Sequence, residues 1–210
     1  MLDIVDALND SGANINVMGL LDDGKEPGSE HIGLSVLGGL SDCDRFADAR
    51  FASTIHNERD YSRHPEIIAR LGLARDRFAT LIHPSAGVSR RADVGHGVCI
   101  CDGVSVAGGV TIGDHVFLGA RAVVGHNATI EDHTVLAAGA LLGGLVHTHR
   151  ASYVGSAAAV RPGVTIGSKA LVGLGAIVVR DVPDGSVVVG NPARRFTGQD
   201  DRGRRHLQSL

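Results

Sequence analysis

The chain has 210 residues, a formal net charge of −3, 29 glycines, no tryptophan, five phenylalanines and two tyrosines. The slight negative charge argues against nucleic acid or a membrane surface as partners, and no apolar run is long enough to span a bilayer. Three cysteines and an N-terminal stretch unlike a signal peptide predict a cytoplasmic protein without a disulfide framework.

Residues 1–80 predict a small α/β domain of doubly wound type. Met1–Asp10 has the pattern of an amphipathic helix, Ile15–Leu21 and Phe51–Ile55 are candidate strands, and Pro65–Leu73 is a second candidate helix. Domains of this type normally place a strand and a glycine-rich, phosphate-binding turn before the first helix. Here the helix comes first, so the domain is expected to be a truncated form.

A six-residue repeat dominates the second domain, predicted over residues 81–190. From Leu81 to Val182 the sequence divides into 17 consecutive hexads, with Ile, Val or Leu at the second position of 16 and a small residue at the sixth position of all 17. This period fits neither an amphipathic helix nor an alternating strand, and it predicts a parallel β-helix with three hexads per coil. Residues 18 apart should therefore lie above one another, about 4.8 Å apart.

Five residues stand out within the repeat. His115 and His133 are 18 residues apart, and we expect a solvent-facing pair on the prism, with a substrate or interface role as the alternative. In the hexad HTHRAS, Thr148 replaces the inward aliphatic residue and is flanked by His147 and His149. This hexad predicts either an irregular turn or histidines that line a cleft between subunits.

The repeat ends at a turn signal, Pro183–Gly185. Residues 191–210 form a charged C-terminal tail that is expected to be partly disordered. Its arginines are expected to face solvent, with binding of CoA phosphates as the alternative.

The hexads, the segment VVGHNATIEDHTVLAAGALLGG and the ending DVPDGSVVVGNPARR together resemble the NeuD family of sialic acid O-acetyltransferases, which includes nucleotide-sugar N-acetyltransferases of the PglD kind. RFATLIHPSAGVS is similar to the family's domain junction, and VMGLLDDG followed by VLGGLSD resembles its truncated Rossmann-like domain. The resemblance implies a left-handed coil and a homotrimer with active sites between neighbouring β-helices. It also implies acetyl-CoA as co-substrate and a sugar or nucleotide sugar as acceptor, in cell-surface glycan biosynthesis.

Acetyl transfer to an amine or hydroxyl needs a base for the attacking atom and donors for the developing oxyanion. His126 matches the family's catalytic histidine and is the predicted base. Gly144, 18 residues later, should lie above it, and the resemblance implies that its backbone N–H meets the oxyanion. Asn127 stands where the family usually has an acidic residue, which predicts a weaker base. Val135 stands where the family often has a second histidine near the CoA thiol.

The resemblance also implies where the two substrates bind. Contacts with acetyl-CoA fall near Ser156 and Leu174 and involve mainly the backbone. Asp22 and Asp23 match the position that meets the nucleotide, and His56 stands where the family usually has a glycine beside the sugar nucleotide.

Three other functions share features with this sequence. A γ-type carbonic anhydrase shares the β-helix but needs a zinc-binding histidine trio with a spacing that this sequence lacks, so no metal is expected. A non-catalytic trimeric scaffold remains open. An acetyltransferase for a non-sugar acceptor such as serine is disfavoured by the α/β N-terminal domain, since serine acetyltransferases carry a helical one. The acceptor atom, nitrogen or oxygen, also remains open.

Overall fold

A computed structural model describes residues 1–197 of the chain. Within this range lie two α-helices, α1 (Leu2–Asp10) and α2 (His64–Arg70), and short 3-10 helices at Leu40–Arg45, Tyr61–Arg63 and Arg75–Arg77. The strands are β1 (Leu20–Leu21), β2 (Glu30–His31), β3 (Leu34–Gly38), β4 (Leu81–Ile82), β5 (Gly87–Val88), β6 (Asp93–Val94), β7 (Cys99–Ile100), β8 (Ser105–Val106), β9 (Thr111–Ile112), β10 (Phe117–Leu118), β11 (Val123–Val124), β12 (Thr129–Ile130), β13 (Val135–Leu136), β14 (Leu141–Leu142), β15 (His147–Thr148), β16 (Tyr153–Val154), β17 (Ala159–Val160), β18 (Thr165–Ile166), β19 (Leu171–Val172), β20 (Ile177–Val178), β21 (Val187–Val189) and β22 (Arg194–Arg195).

The repeat forms a triangular prism of three sheets. Face 1 contains β4, β7, β10, β13, β16, β19, β21 and β22, face 2 contains β5, β8, β11, β14, β17 and β20, and face 3 contains β6, β9, β12, β15 and β18. Ladder partners within the repeat are parallel and 18 residues apart, as for Phe117 with Val135 and Thr129 with His147. The left-handed parallel β-helix predicted from the hexads and the family resemblance is confirmed.

The second and sixth hexad positions fill the prism. Ile100, Leu118 and Ile130 occupy second positions and are fully buried, and the small side chains of Ala122 and Ala128 occupy sixth positions with no exposure. Each fully buried aliphatic side chain contributes roughly 1.5–3 kcal/mol. The small sixth residue lets each sharp corner close without a void.

The residue at the fifth hexad position forms the turn at each corner, because its backbone has a positive φ in most hexads. Many coils use glycine there, which has no Cβ to oppose a positive φ. The others use residues with φ between 54° and 62°: His115, Arg121, Asn127, His133, Leu145, Ala151, Ala157 and Lys169. Asparagine tolerates this conformation better than most residues with a side chain, so Asn127 suits its turn independently of any chemistry.

The N-terminal region covers face 1. Helix α1 is amphipathic, as predicted, and its buried Ile4 and Val5 pack against Leu81 and Cys99 on the outer side of face 1. A three-stranded sheet follows, in which β3 pairs in parallel with β1 and antiparallel with β2. The region therefore keeps one parallel pair of the expected α/β arrangement and adds a hairpin.

Several predicted boundaries in this region differ from the structure. The predicted strand over Phe51–Ile55 is wrong, because only Phe51 forms a single bridge, to Phe78. The strand predicted over Ile15–Leu21 shrinks to its last two residues, and strands β2 and β3 were not predicted. Helix α2 was predicted correctly, although it ends at Arg70.

The expectation that His115 and His133 face solvent is wrong. Their rings stack with centroids 4.9 Å apart, and only 7% and 5% of each residue is exposed. His64 of α2 packs edge-on against His133 at 5.0 Å, and Phe78 packs against His115 at 4.5 Å. The pair thus joins the N-terminal region to the β-helix within one chain.

The first part of the predicted C-terminal tail is ordered. Arg194–Arg195 forms β22, which pairs antiparallel with β21 and adds an edge strand to face 1. Residues 198–210 of the predicted tail lie outside the described residues.

Among residues 1–197, neither α-helix has the length and apolar character needed to cross a membrane.

Candidate active site

His126 is exposed at the corner where the chain passes from face 2 to face 3. It lies between β11 and β12, and its backbone carbonyl accepts a hydrogen bond of 2.9 Å from Leu145 on the next coil. No described residue hydrogen-bonds to its imidazole ring. The predicted base is therefore open to solvent on a rigid backbone.

Gly144 lies directly above His126, as the 18-residue rule predicts. A Cβ atom added at Gly144 would lie 2.5 Å from Nε2 and 2.8 Å from Cε1 of His126. The imidazole is therefore in contact with bare backbone, which only glycine provides. Within residues 1–197 the Gly144 N–H donates to no acceptor, whereas the N–H of Arg150, at the same hexad position of another corner, donates to Glu131. A free backbone donor thus lies beside the exposed imidazole.

Asn127 holds the turn next to His126. Its φ is 57°, and its side-chain oxygen lies over Gly109 on the coil below, 3.0 Å from where a Cβ of that glycine would be. The described hydrogen bonds include none between the Asn127 amide and the His126 ring. The side chain is thus directed toward the coil below, and it brings no negative charge to the base.

The residues predicted to contact acetyl-CoA lie on two different parts of the prism. Val135 does not fit the prediction, because it lies on face 1 under the N-terminal region with 1% of its surface exposed. Ser156 and Leu174 are exposed, and they stack above one another at the corner from face 1 to face 2. Leu174 is 80% exposed, although it is apolar. These two residues and His126 therefore flank face 2 from opposite edges.

Asp22 and Asp23 lie in the turn that follows β1. Asp22 accepts a hydrogen bond of 2.8 Å from the N–H of Gly24, and Asp23 accepts one of 2.7 Å from the N–H of Leu40. Asp22 thus holds its own turn, and Asp23 ties that turn to the start of the 3-10 helix at Leu40–Arg45. They retain further acceptor positions toward a ligand.

His56 packs on the outer side of face 1. Its ring stacks on Phe117 with centroids 4.3 Å apart. Burial, reinforced by the nearby His64, lowers the pKa of His56 to about 3, so the ring is neutral at pH 7. Face 1 is the side of the triangle opposite the corner that carries His126. The structure therefore does not bring His56 or the two aspartates to His126 within one chain.

A cluster of three ionisable residues on face 3 was only partly anticipated. We call Glu131, His147 and His149 the face 3 cluster. One oxygen of Glu131, Oε1, lies 2.8 Å from Nε2 of His147 and 2.9 Å from Nδ1 of His149. The sequence indicated the histidines but not Glu131, although its 18-residue separation from His149 was the available signal.

Comparison with known proteins places this chain in a family. The bacterial transferase hexapeptide family (six repeats) matches residues 109–144. The acetyltransferase domain of PglB from Neisseria gonorrhoeae, solved with acetyl coenzyme A, is 30% identical, with a TM-score of 0.77 over 92% of this chain and 91% of that one. The chain belongs to the NeuD/PglD-like family of hexapeptide-repeat acyltransferases.

Two further matches differ in how much of the chain they cover. A histidine-to-asparagine variant of perosamine N-acetyltransferase from Caulobacter crescentus, solved with CoA and GDP-perosamine, is 28% identical, with a TM-score of 0.79 over 92% of this chain and 90% of that one. A 35-residue stretch is 49% identical to a Schizosaccharomyces pombe protein named as an acetyltransferase, but this match spans 17% of each chain. The short match therefore supports the hexapeptide repeat alone.

Proposed function

We propose that this family member transfers the acetyl group of acetyl-CoA to the amino group of a nucleotide-linked amino sugar. The observation that carries the proposal is the exposed imidazole of His126 in contact with the backbone of Gly144. Support comes from the perosamine enzyme and the PglB domain, each of which is similar to this chain over about nine-tenths of its own length. The perosamine enzyme was solved with CoA and GDP-perosamine, and the PglB domain was solved with acetyl coenzyme A.

The proposal gives each of three residues a role that is consistent with its position. As the acceptor nitrogen attacks the thioester carbon, His126 takes the proton that the nitrogen loses. The Gly144 N–H stabilises the negative charge that develops on the thioester oxygen, and the carbon–sulfur bond breaks to release CoA. The lack of a Cβ on Gly144 lets the reacting carbon approach both groups closely. Asn127 fixes the turn that carries His126.

The proposal includes a homotrimer, because one chain presents only part of a site. Face 2 carries an exposed apolar stripe that includes Val123 (39% exposed) and Leu141 (44% exposed), which are ladder partners. Packing of this stripe against a second chain would bring the Leu174 edge of one prism toward the His126 corner of another. Native mass spectrometry should show three times 21.7 kDa, and Val123→Glu combined with Leu141→Glu should give monomers.

The three cysteines are free, which supports the proposed location in a reducing cytoplasm. Cys43 and Cys99 are buried, and Cys101 is partly buried.

An amino acceptor is favoured over a hydroxyl because the perosamine relative is an N-acetyltransferase.

Thiol release from acetyl-CoA tests the acceptor class. A panel should pair nucleotide-linked amino sugars with the same compounds bearing a hydroxyl in place of the amine. The proposal predicts turnover only with amino acceptors, and loss of that turnover in His126→Ala but not in His83→Ala, which changes a histidine bonded to Ser85 in the first coil. Turnover of the hydroxyl compounds alone would replace N-acetylation by O-acetylation. No turnover with any acceptor would favour a non-catalytic scaffold.

A further inference from the structure

The face 3 cluster is built by the register of the β-helix. Thr129 pairs with His147, so Glu131 lies directly beneath His149 on the coil below. His147 and His149 are two residues apart along the chain, and side chains with this spacing point to the same side of a strand. Thr148, between them, points into the prism and is fully buried. Three potential ligand groups are therefore fixed on one outer surface by strand geometry.

The donor atoms of the cluster converge. Two imidazole nitrogens lie 2.8 and 2.9 Å from one carboxylate oxygen, and all three atoms lie within 4.8 Å of one another. In a tetrahedral zinc site with bonds of about 2.0–2.1 Å, ligand atoms are roughly 3.3 Å apart. An ion could therefore enter if the side chains separated by a few tenths of an ångström.

The surroundings of the cluster also favour a bound cation. The second oxygen of Glu131 accepts a hydrogen bond of 3.0 Å from the backbone N–H of Arg150, which holds the carboxylate in place. Each side chain is between 36% and 38% exposed, so solvent reaches the donor atoms.

We propose that the face 3 cluster binds one divalent first-row transition-metal ion, with Zn²⁺ as the best match to its donors. Two imidazoles and one carboxylate are a common ligand set for zinc sites that keep a fourth position open. On binding, the proton of His147 moves from Nε2 to Nδ1 and that of His149 moves from Nδ1 to Nε2, which frees both facing lone pairs. The open position would take water or an anionic oxygen of a ligand.

The proposed ion site is separate from the proposed acetyl transfer. His126 lies at the corner between face 2 and face 3, whereas the cluster lies on face 3, and no step assigned to His126 or Gly144 uses the face 3 cluster. Metal binding can therefore succeed or fail whatever the outcome of the acetyl-transfer assays.

The test measures metal content and binding rather than activity. The full chain is treated with EDTA, then titrated with Zn²⁺ by calorimetry, and the stoichiometry after dialysis is read by elemental analysis. We expect one Zn²⁺ per chain in the wild type and in His126→Ala. We expect a loss of roughly 100-fold or more in affinity in His147→Ala combined with His149→Ala, and weakened binding in Glu131→Gln.

Co²⁺ provides a readout specific for the ligands. Its visible absorption bands should show nitrogen ligation in the wild type and revert to those of aqueous Co²⁺ in the double variant. Circular dichroism of the double variant checks that the β-helix is intact, and the conservative Glu131→Gln provides a second test if it is not. No bound Zn²⁺ in the wild type, or unchanged binding in a folded double or Glu131→Gln variant, would overturn the proposal.

Discussion

The imidazole of His126 and the Cα of Gly144 touch across neighbouring coils, where an added Cβ would come within 2.5 Å of Nε2. Gly144→Ala must therefore displace the ring from its place beside the Gly144 N–H. Because a misplacement of about 1 Å can cost 100-fold in rate, we predict a fall in kcat of about 100-fold for acetyl transfer. Steady-state kinetics with an accepted amino sugar would measure it.

Gly108→Ala is the matched control for Gly144→Ala. Gly108 occupies the same hexad position at the same corner, one coil below His126, and a Cβ there would meet Ser89 Oγ at 3.6 Å and Arg91 Cβ at 3.9 Å. These are ordinary contacts, so we expect kcat to stay within about twofold of wild type, since a well-fitting surface substitution changes little. Equal rates in the two variants would argue against the proposed role of Gly144.

Thr148→Val should stabilise the protein. Thr148 is fully buried, and its hydroxyl has no hydrogen-bond partner in the part of the chain that the structure describes. The isosteric valine removes a buried polar group that costs free energy, so we expect the free energy of unfolding to rise by about 1 kcal/mol and Tm to rise by about 2–4 °C. Differential scanning calorimetry of the metal-free protein would test this.

Thr134→Val should act in the opposite direction. Thr134 is also fully buried, but its hydroxyl lies 3.3 Å from the carbonyl of His149 and 3.4 Å from the hydroxyl of Ser152. Its replacement removes both hydrogen bonds and leaves the Ser152 hydroxyl without this partner, while the His149 carbonyl keeps the backbone N–H of Ser152, so the change should cost about 1 kcal/mol. If both threonine variants shifted Tm in the same direction, hydrogen bonding would not explain the difference between the two sites.

Acid should loosen the contact between the N-terminal region and the β-helix. Burial, reinforced by neighbouring histidines, lowers the pKa of His64 to about 4 and that of His133 to about 3. Because histidine in the unfolded chain titrates near 6.5, the unfolded state binds more protons below that pH. The free energy of unfolding should therefore be fully maintained above about pH 6.5 and fall as the pH drops toward 4, by up to about 1.4 kcal/mol per pH unit for each histidine.

Urea unfolding at pH 7.5 and 5.5 would measure this loss. His133→Asn removes one of the titrating rings and keeps a residue that tolerates the φ of 60° at this position. Its unfolding free energy should therefore depend less steeply on pH than that of the wild type. A wild-type protein equally stable at both pH values would show that these histidines do not stay neutral in the fold.

The β-helix and its stacking could be predicted because each hexad repeats the same local rule, which makes the 18-residue register visible in the sequence. The coverage of face 1 could not be predicted in this way. Val135 and His133 occupy outward hexad positions, and only the docking of residues 1–80 buries them. The two-residue strand β2 was also too short to show an alternating pattern. Glu131 could be found only by applying the 18-residue register to His149, because its own hexad follows the pattern of the others.

The rate of acetyl transfer in His126→Ala tests the central claim most directly. The measurement is kcat for CoA release with an accepted nucleotide-linked amino sugar, with acetyl-CoA binding measured in parallel by calorimetry. A positioned general base contributes roughly 10²–10⁴-fold, so we predict a kcat at least 100-fold lower than wild type with acetyl-CoA affinity retained. A kcat equal to that of the wild type would contradict the assignment of His126 as the base.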